Sequence, residues 1–276
     1  MVKPLPLVTG GLAIALLGAL AGWRMSAREA FLYRAENART AELLPGACPR
    51  TGLVARWELD RHEKGQFADS AGLGFDLAIE GSAAPLAALR YGAPPVVDAR
   101  SGHGVSIEQH HWLAAPNSRC FATGLISVAA WVKLDDLARM PTIVGKSTWP
   151  ADGFWLLTTT TEPAGTERRL QLGFVSETTE VQHVDAGYVL PLHEWHHLGF
   201  ALDNGAHEVR FFVDGKPFGD VHRGLEPMRV NVSHPLYVGD DDGTGRWPWH
   251  GSLDDVRVWN RVVTDDEIAR AFAGQE

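Results

Sequence analysis

From residue 53 onward the sequence consists of short apolar or alternating runs, each closed by residues that favour turns. LVARWELD, ISVAAWVKL, RLQLGFVS and HEVRFFVDG are such runs, bounded by Gly, Pro, Asp or Asn. The hairpin signals Asn204-Gly205 and Asp214-Gly215 stand between three successive runs. Short strands joined by tight turns bury a core by pairing into sheets that pack face to face. The pattern therefore predicts an all-β domain over residues 53–276.

Length and charge restrict the class of protein further. The chain has 276 residues, 45% of them hydrophobic, which is enough for one large sandwich domain. Its formal net charge of -9 argues against a nucleic-acid partner. The sequence also has no Gly-rich phosphate loop, no CxxC pair and no GxSxG elbow.

The segment HEWHH at residues 193–197 has the letters of a zinc-peptidase motif. That motif requires a helix, on which both histidines reach one zinc ion. Here Pro191 precedes the segment and an Asn-Gly turn follows it, which indicates a strand. On a strand His193 and His197 lie about 13 Å apart. We therefore predict strand residues rather than zinc ligands.

The N-terminal segment differs in kind from the rest of the chain. Residues 4–23 carry no charge over about one bilayer crossing. We predict a transmembrane anchor at residues 1–23, followed by a helical stalk and linker at residues 24–52. A cleaved signal peptide is the alternative, although no A-x-A site followed by polar residues is present.

Several segments together resemble the laminin-G-like, concanavalin-A-type jelly-roll family. They are LVARWELD, FADSAGLGFDL, ISVAAWVKL, EWHHLGFALDNGAHEVRFFVDGKPFG, LYVGD and GSLDDVRVWNRVVTDDEIARAF. The resemblance covers roughly residues 53–273 and is most specific in the last third, where Thr264 begins a capping box. It implies a two-sheet antiparallel jelly-roll sandwich, a fold that hosts lectins, glucanases and interaction modules.

The resemblance also implies a calcium site. The family's ligands correspond to Asp69, to the carbonyls near Gly72 and Gly74, and to Asp254 or its neighbour Asp255. Calcium prefers carboxylate and carbonyl oxygens of this kind. We predict a structural Ca²⁺ ion at this set. The alternative is that Asp69 forms a turn and Asp254 is a solvated strand residue.

Three carboxylates near the first strand resemble the catalytic trio of retaining β-glucanases. They are Glu58, Asp60 and Glu63. Catalysis needs two carboxyl groups close together on one strand face, whereas Lys64-Gly65 ends this run at once and leaves Glu63 in a turn. We interpret the spacing as coincidence and predict no catalytic residues.

The loop GDDDGTGRWPWHG at residues 239–251 has the most unusual composition. Its aspartates at residues 240–242 resemble a calcium loop, but the residues before them do not fit an EF-hand. Trp247 and Trp249 flank a proline, and Trp149 precedes another. Loop tryptophans of this kind often contact sugars or proteins, so we predict that these three form a binding surface. Buried packing is the alternative.

Two cysteines and the distribution of basic residues bear on the side of the membrane. Four arginines between residues 24 and 39 follow the predicted span and Lys3 precedes it, which favours a cytoplasmic domain. Cys48 and Cys120 suit a disulfide in an oxidising compartment, or two buried thiols. Because the family resemblance favours the outside, we predict an extracytoplasmic domain and leave the cytoplasmic side open.

A short tether limits the ligands that a single domain can reach. We therefore predict a non-catalytic, single-pass membrane protein whose jelly-roll domain is an accessory or scaffolding subunit with a protein partner in a membrane complex. Carbohydrate recognition at the cell envelope is the alternative, and glycoside hydrolysis is a third function that the fold allows.

Overall fold

The computed structural model describes the globular part of the chain. The described residues are Cys48, 52–81, 93–100, 102–107, 111–136, 141–159 and 167–275. The predicted anchor (residues 1–23) and the predicted stalk and linker (24–52), apart from Cys48 and Gly52, lie outside these residues. Within the described ranges, no helix is both long enough and apolar enough to cross a membrane.

Sixteen strands of the described chain form two antiparallel sheets of eight strands each. The first sheet contains β1 (Leu53–Trp57), β4 (Val96–Asp98), β5 (His103–Ile107), β7 (Leu125–Leu134), β12 (Trp195–Asp203), β13 (Glu208–Val213), β14 (Lys216–Arg223) and β16 (Gly251–Trp259). Its order is β14-β13-β12-β7-β16-β5-β4, and β1 also pairs with β16. The predicted all-β, two-sheet sandwich is confirmed.

The second sheet runs in the order β11-β10-β9-β8-β15-β6-β3-β2. Its strands are β2 (Gln66–Phe67), β3 (Leu77–Gly81), β6 (His111–Ala115), β8 (Thr142–Thr148), β9 (Asp152–Thr159), β10 (Arg168–Val175), β11 (Val181–Leu190) and β15 (Leu236–Val238). β15 is a short central strand between β8 and β6. The long loop that follows β15 therefore leaves from the middle of the sheet.

The two hairpin signals differ in their outcome. Val213 pairs with Lys216, so Asp214-Gly215 is a two-residue turn, and both turn residues have positive φ. Asp203 pairs with Glu208, so the turn at Asn204-Gly205 is longer than the sequence signal suggests. Both hairpins form as predicted, and Asn204-Gly205 lies in a four-residue loop at residues 204–207.

The core lies between the sheets and is rich in aromatic side chains. Phe154 of the second sheet meets Phe200 of the first edge to face, with ring centroids 5.6 Å apart. Trp57 is fully buried, and its Nε1 donates a hydrogen bond of 2.7 Å to the carbonyl of Phe75. Burying one large apolar side chain contributes about 1.5–3 kcal/mol.

Helix α1 (Asp265–Phe272) covers part of the outer face of the first sheet. Thr264 and Glu267 form the predicted capping box. Ile268 and Ala271 are buried in a cluster that includes Phe212 of β13. The predicted closing helix is thus confirmed, and it covers apolar side chains on the sheet face opposite the core.

A disulfide joins Cys48 to Cys120, which lies in a short 3-10 helix (Arg119–Phe121). Cys120 is buried in the main core beside Phe121. Of the two alternatives for the cysteines, the structure has the disulfide. The chain is therefore covalently fixed to the core just before β1.

Candidate functional site

The HEWHH segment forms the start of a strand, as predicted. His193 and Glu194 lie in the turn before β12, and His193 has φ +65°. His196 Nδ1 lies 3.0 Å from both the Tyr188 hydroxyl and an Asp214 carboxylate oxygen. His197 instead packs against Trp131 and Phe272 near α1. Each histidine has its own surroundings, so the segment does not form a zinc site.

His197 is expected to make stability depend on pH. Burial lowers the pKa of His197 to about 4, and neither buried ring nitrogen has a hydrogen-bond partner. Below pH 6.5 the His197 side chain is therefore protonated in the unfolded chain but stays neutral in the folded chain. We expect stability to be fully present above pH 6.5 and to fall by about 3 kcal/mol as the pH decreases to about 4.

Urea denaturation across this pH range measures the effect, and His197→Leu provides the comparison because it cannot titrate. The variant should lose this part of the pH dependence. An identical pH profile in the variant would mean that another group causes the loss.

Asp69 of the predicted calcium set is surrounded by backbone N–H donors. Its Oδ1 accepts from Arg56 N at 3.1 Å and Ala71 N at 3.0 Å. Its Oδ2 accepts from Leu73 N at 3.1 Å and Phe75 N at 3.2 Å. Four donors directed at one carboxylate occupy the lone pairs that a cation would need.

The other members of the set have different partners. Asp255 accepts hydrogen bonds from Arg257 and Arg56; burial opposes its ionisation, but these bonds outweigh it and lower its pKa. Burial raises the pKa of Asp254 to about 8. In the described chain, Asp69, Asp254 and Asp255 are not a group of side chains converging on one point. The hydrogen bonds at Asp69 and Asp255 would compete with a calcium ion, and calcium binding by this set stays a prediction.

Gly72 and Gly74, whose carbonyls complete the predicted set, shape the loop. Their φ angles are +79° and +78°, which favour glycine. They turn the chain so that the amides of the loop face Asp69. The loop is therefore organised around this carboxylate.

The glucanase-like trio is bound to separate partners. Glu58 lies 3.4 Å from Arg56, and Asp60 accepts a hydrogen bond of 2.7 Å from His103 N. The backbone of Glu63 pairs with that of Gln66 in an isolated β-bridge. The absence of catalytic residues stays a prediction.

The three predicted binding tryptophans have different environments. Trp249 is fully buried in the main core, so its ring is not available to a ligand. The prediction that Trp249 is part of a binding surface is therefore wrong. The reason is that the loop returns to the core before β16, where Trp249 N donates to Gly239 O. Trp247 is half-buried, and Trp149 is 45% exposed in the turn between β8 and β9.

Trp149 lies beside the half-buried Arg246, and the segment with Val232 is held near the same turn; we name these three residues the Trp149 edge. The Arg246 guanidinium lies 5.8 Å from the Trp149 ring centroid. Val232 is 56% exposed. The segment that carries Val232 is held at this turn because Asn231 Nδ2 donates to Asp152 Oδ1 at 2.6 Å.

The loop between β15 and β16 folds back over the outer face of the second sheet. A Cβ atom at Gly145 of β8 would lie 2.5 Å from Asp241 Cα, and one at Gly245 would lie 2.8 Å from the Trp112 ring. Trp112 and Tyr237 form a small cluster separate from the main core. Glycines thus permit the loop to lie directly on the sheet.

This fold-back buries the three aspartates of the loop, whose preceding residues do not fit an EF-hand. Asp240, Asp241 and Asp242 are 0%, 2% and 8% exposed. One carboxylate oxygen from each lies within 4.8 Å of those of the other two. In the described ranges, this is the one group of three or more acidic, histidine or cysteine side chains close enough to share a metal ion. Burial, together with the neighbouring aspartates, raises the pKa of Asp240 to about 7 and of Asp241 to about 9. Comparison with an EF-hand missed this group; three consecutive aspartates in a Gly-rich loop were the available signal.

Comparison with known proteins agrees with this architecture. Residues 108–269 match the family described as the concanavalin A-like lectin/glucanases superfamily. No curated protein sequence matches the chain. Among solved structures, domain 4 of AbnA, a GH43 extracellular arabinanase from Geobacillus stearothermophilus in complex with arabinotriose, superposes with a TM-score of 0.62 at 19% identity, covering 81% of this chain and 99% of that domain.

Two toxin binding domains are also similar in fold. The binding domain of Paraclostridial Mosquitocidal Protein 1 gives a TM-score of 0.58 at 12% identity over 80% of this chain and 52% of that one. The receptor binding domain of botulinum neurotoxin mosaic serotype C/D gives 0.56 at 10% identity, over 81% and 51%. At these identities the likeness concerns the fold alone. The family match covers more than half of the sequence, and the chain belongs to the concanavalin A-like lectin/glucanase superfamily.

Proposed function

We propose that this domain is a non-catalytic recognition module whose Trp149 edge binds a partner protein. The observation that carries the proposal is the exposed Trp149 ring beside the Arg246 guanidinium. Tryptophan and arginine are the residue types most enriched among side chains that dominate binding energy. Exposed Val232 adds apolar surface that a protein partner would cover.

The wider role that fits this edge is an accessory or scaffolding subunit of a membrane assembly. The uncharged segment at residues 4–23 supports membrane attachment. The Cys48–Cys120 disulfide supports an extracytoplasmic domain, because disulfides persist in oxidising compartments. A domain held close to its membrane has a small reach, which suits a fixed partner.

Carbohydrate binding is the second candidate. A tryptophan ring with an exposed face is a common platform for stacking a sugar. The AbnA domain of similar fold has arabinotriose in its structure. In this alternative, Trp149 would contact the sugar ring and the polar side chains around Asn231 would contact its hydroxyl groups.

Trp149→Ala distinguishes a recognition edge from an inert surface. In native gels of mildly solubilised membranes, we expect the wild-type chain to migrate with a stoichiometric partner identified by mass spectrometry. The variant should bind the purified partner about 30-fold more weakly, because a central tryptophan contributes about 2 kcal/mol or more.

Leu125→Ala is the matched control, since Leu125 is an exposed apolar residue on the first sheet rather than on this edge. It should leave partner binding unchanged. Migration of the wild-type chain alone, with glycan binding that Trp149→Ala removes, would favour the carbohydrate alternative. Equal partner binding by both variants would refute the Trp149 edge as the contact surface.

A further inference from the structure

Three buried aspartates on the loop after β15 require a compensating positive charge. Their carboxylate oxygens lie within 4.8 Å of one another on the outer face of the second sheet. Like charges in a water-poor site repel each other strongly unless a proton or a cation lies between them. The conformation of the loop directs all three carboxylates to one place, so they stay close together while the loop keeps this fold.

A second observation concerns the individual oxygen atoms. Asp240 Oδ1 and Asp241 Oδ1 are buried without a hydrogen-bond partner. The other Asp240 oxygen accepts a hydrogen bond of 2.9 Å from Gly245 N. Asp242 Oδ1 accepts from both the backbone N–H and the hydroxyl of Thr244. The loop thus fixes part of the cluster while leaving two buried acceptors unsatisfied, and such acceptors are costly without a ligand.

We propose that Asp240, Asp241 and Asp242 bind a hard divalent cation, with calcium as the preferred ion. The donor set consists of carboxylate oxygens, which calcium and similar ions prefer, whereas zinc and copper favour nitrogen and sulfur ligands. Calcium also tolerates the irregular geometry that neighbouring residues of one loop provide. This site is distinct from the set around Asp69 and does not depend on the proposed function.

The bound ion would fix the loop against the sheet. Asp241 lies against Gly145, and its carbonyl accepts a hydrogen bond from Ser147 Oγ. Gly243 and Gly245 pack over Tyr237 and Trp112. A cation at the aspartates therefore holds the segment that leads to Arg246.

The experiment uses the full chain in mild detergent, stripped with EGTA. We expect the melting temperature to rise saturably by several degrees with calcium up to about 10 mM, a range that covers weak extracellular sites. Asp241→Asn keeps the shape but removes a charge, so it should weaken calcium binding at least 10-fold. Asp69→Asn, at the other acidic loop, should keep the wild-type calcium response.

Terbium luminescence provides a second measurement that does not rely on stability. Trp112 and Tyr237 lie beneath the loop, so excitation of these rings should sensitise bound Tb³⁺ in the wild-type chain and not in Asp241→Asn. Three results would overturn the proposal: no thermal or luminescence response to calcium, magnesium or terbium; an undiminished response in Asp241→Asn; or a response that disappears only in Asp69→Asn.

Discussion

Replacement of Cys48 and Cys120 with serine is expected to lower the free energy of unfolding by about 4 kcal/mol. The disulfide closes a loop between cysteines 72 positions apart, which restricts the unfolded chain far more than the folded one. Urea denaturation of the double variant against the wild-type protein measures the loss.

The reduced wild-type chain is the control for the substitution itself. Dithiothreitol should bring the wild-type denaturation midpoint to that of the double variant and leave the variant unchanged. If reduction leaves the wild-type midpoint in place, the cross-link does not stabilise the fold.

Asp69→Ala is expected to lower the free energy of unfolding by about 3 kcal/mol, because four backbone donors lose their acceptor together. One of these donors, Phe75 N, is buried, and the others are partly buried, so water replaces only part of the lost bonding. Thermal and urea denaturation both measure the loss.

Asp76→Ala is the matched control from the same loop. Asp76 accepts a single backbone bond, from Asp69 N at 2.9 Å, so its removal should cost about 1 kcal/mol. If Asp69 only organises the loop, its loss is equal with and without calcium. A loss confined to calcium-loaded protein would instead make Asp69 a metal ligand, as the family resemblance implies.

Local sequence signals predicted strands, turns and the closing helix, and the family resemblance implied the jelly-roll arrangement. Asp214-Gly215 forms the expected two-residue turn, and Thr264 and Glu267 form the expected capping box. These features depend on residues close in sequence, and the period of the strands then determines which side chains enter the core. The disulfide was only one of two alternatives, since the sequence does not give the distance between the cysteines.

The candidate site was harder to predict because it depends on contacts between distant segments. Trp249 has the same local sequence context as an exposed loop tryptophan, yet the loop returns and buries it. The aspartates at residues 240–242 became a buried group only because Gly145, nearly 100 residues earlier, leaves room for the loop. For Asp69, the resemblance implied a calcium ligand, which stays a prediction, and the structure shows four backbone N–H donors at its carboxylate.

The position of the disulfide also has a mechanical consequence. A pulling force applied to the chain before residue 48 would enter the domain at Cys120, inside the core, rather than at the start of β1. Strand β1 would therefore not be peeled from β16 one hydrogen bond at a time. Under tension the load would be borne by the packed interior, which makes the domain a firm attachment point for whatever it holds.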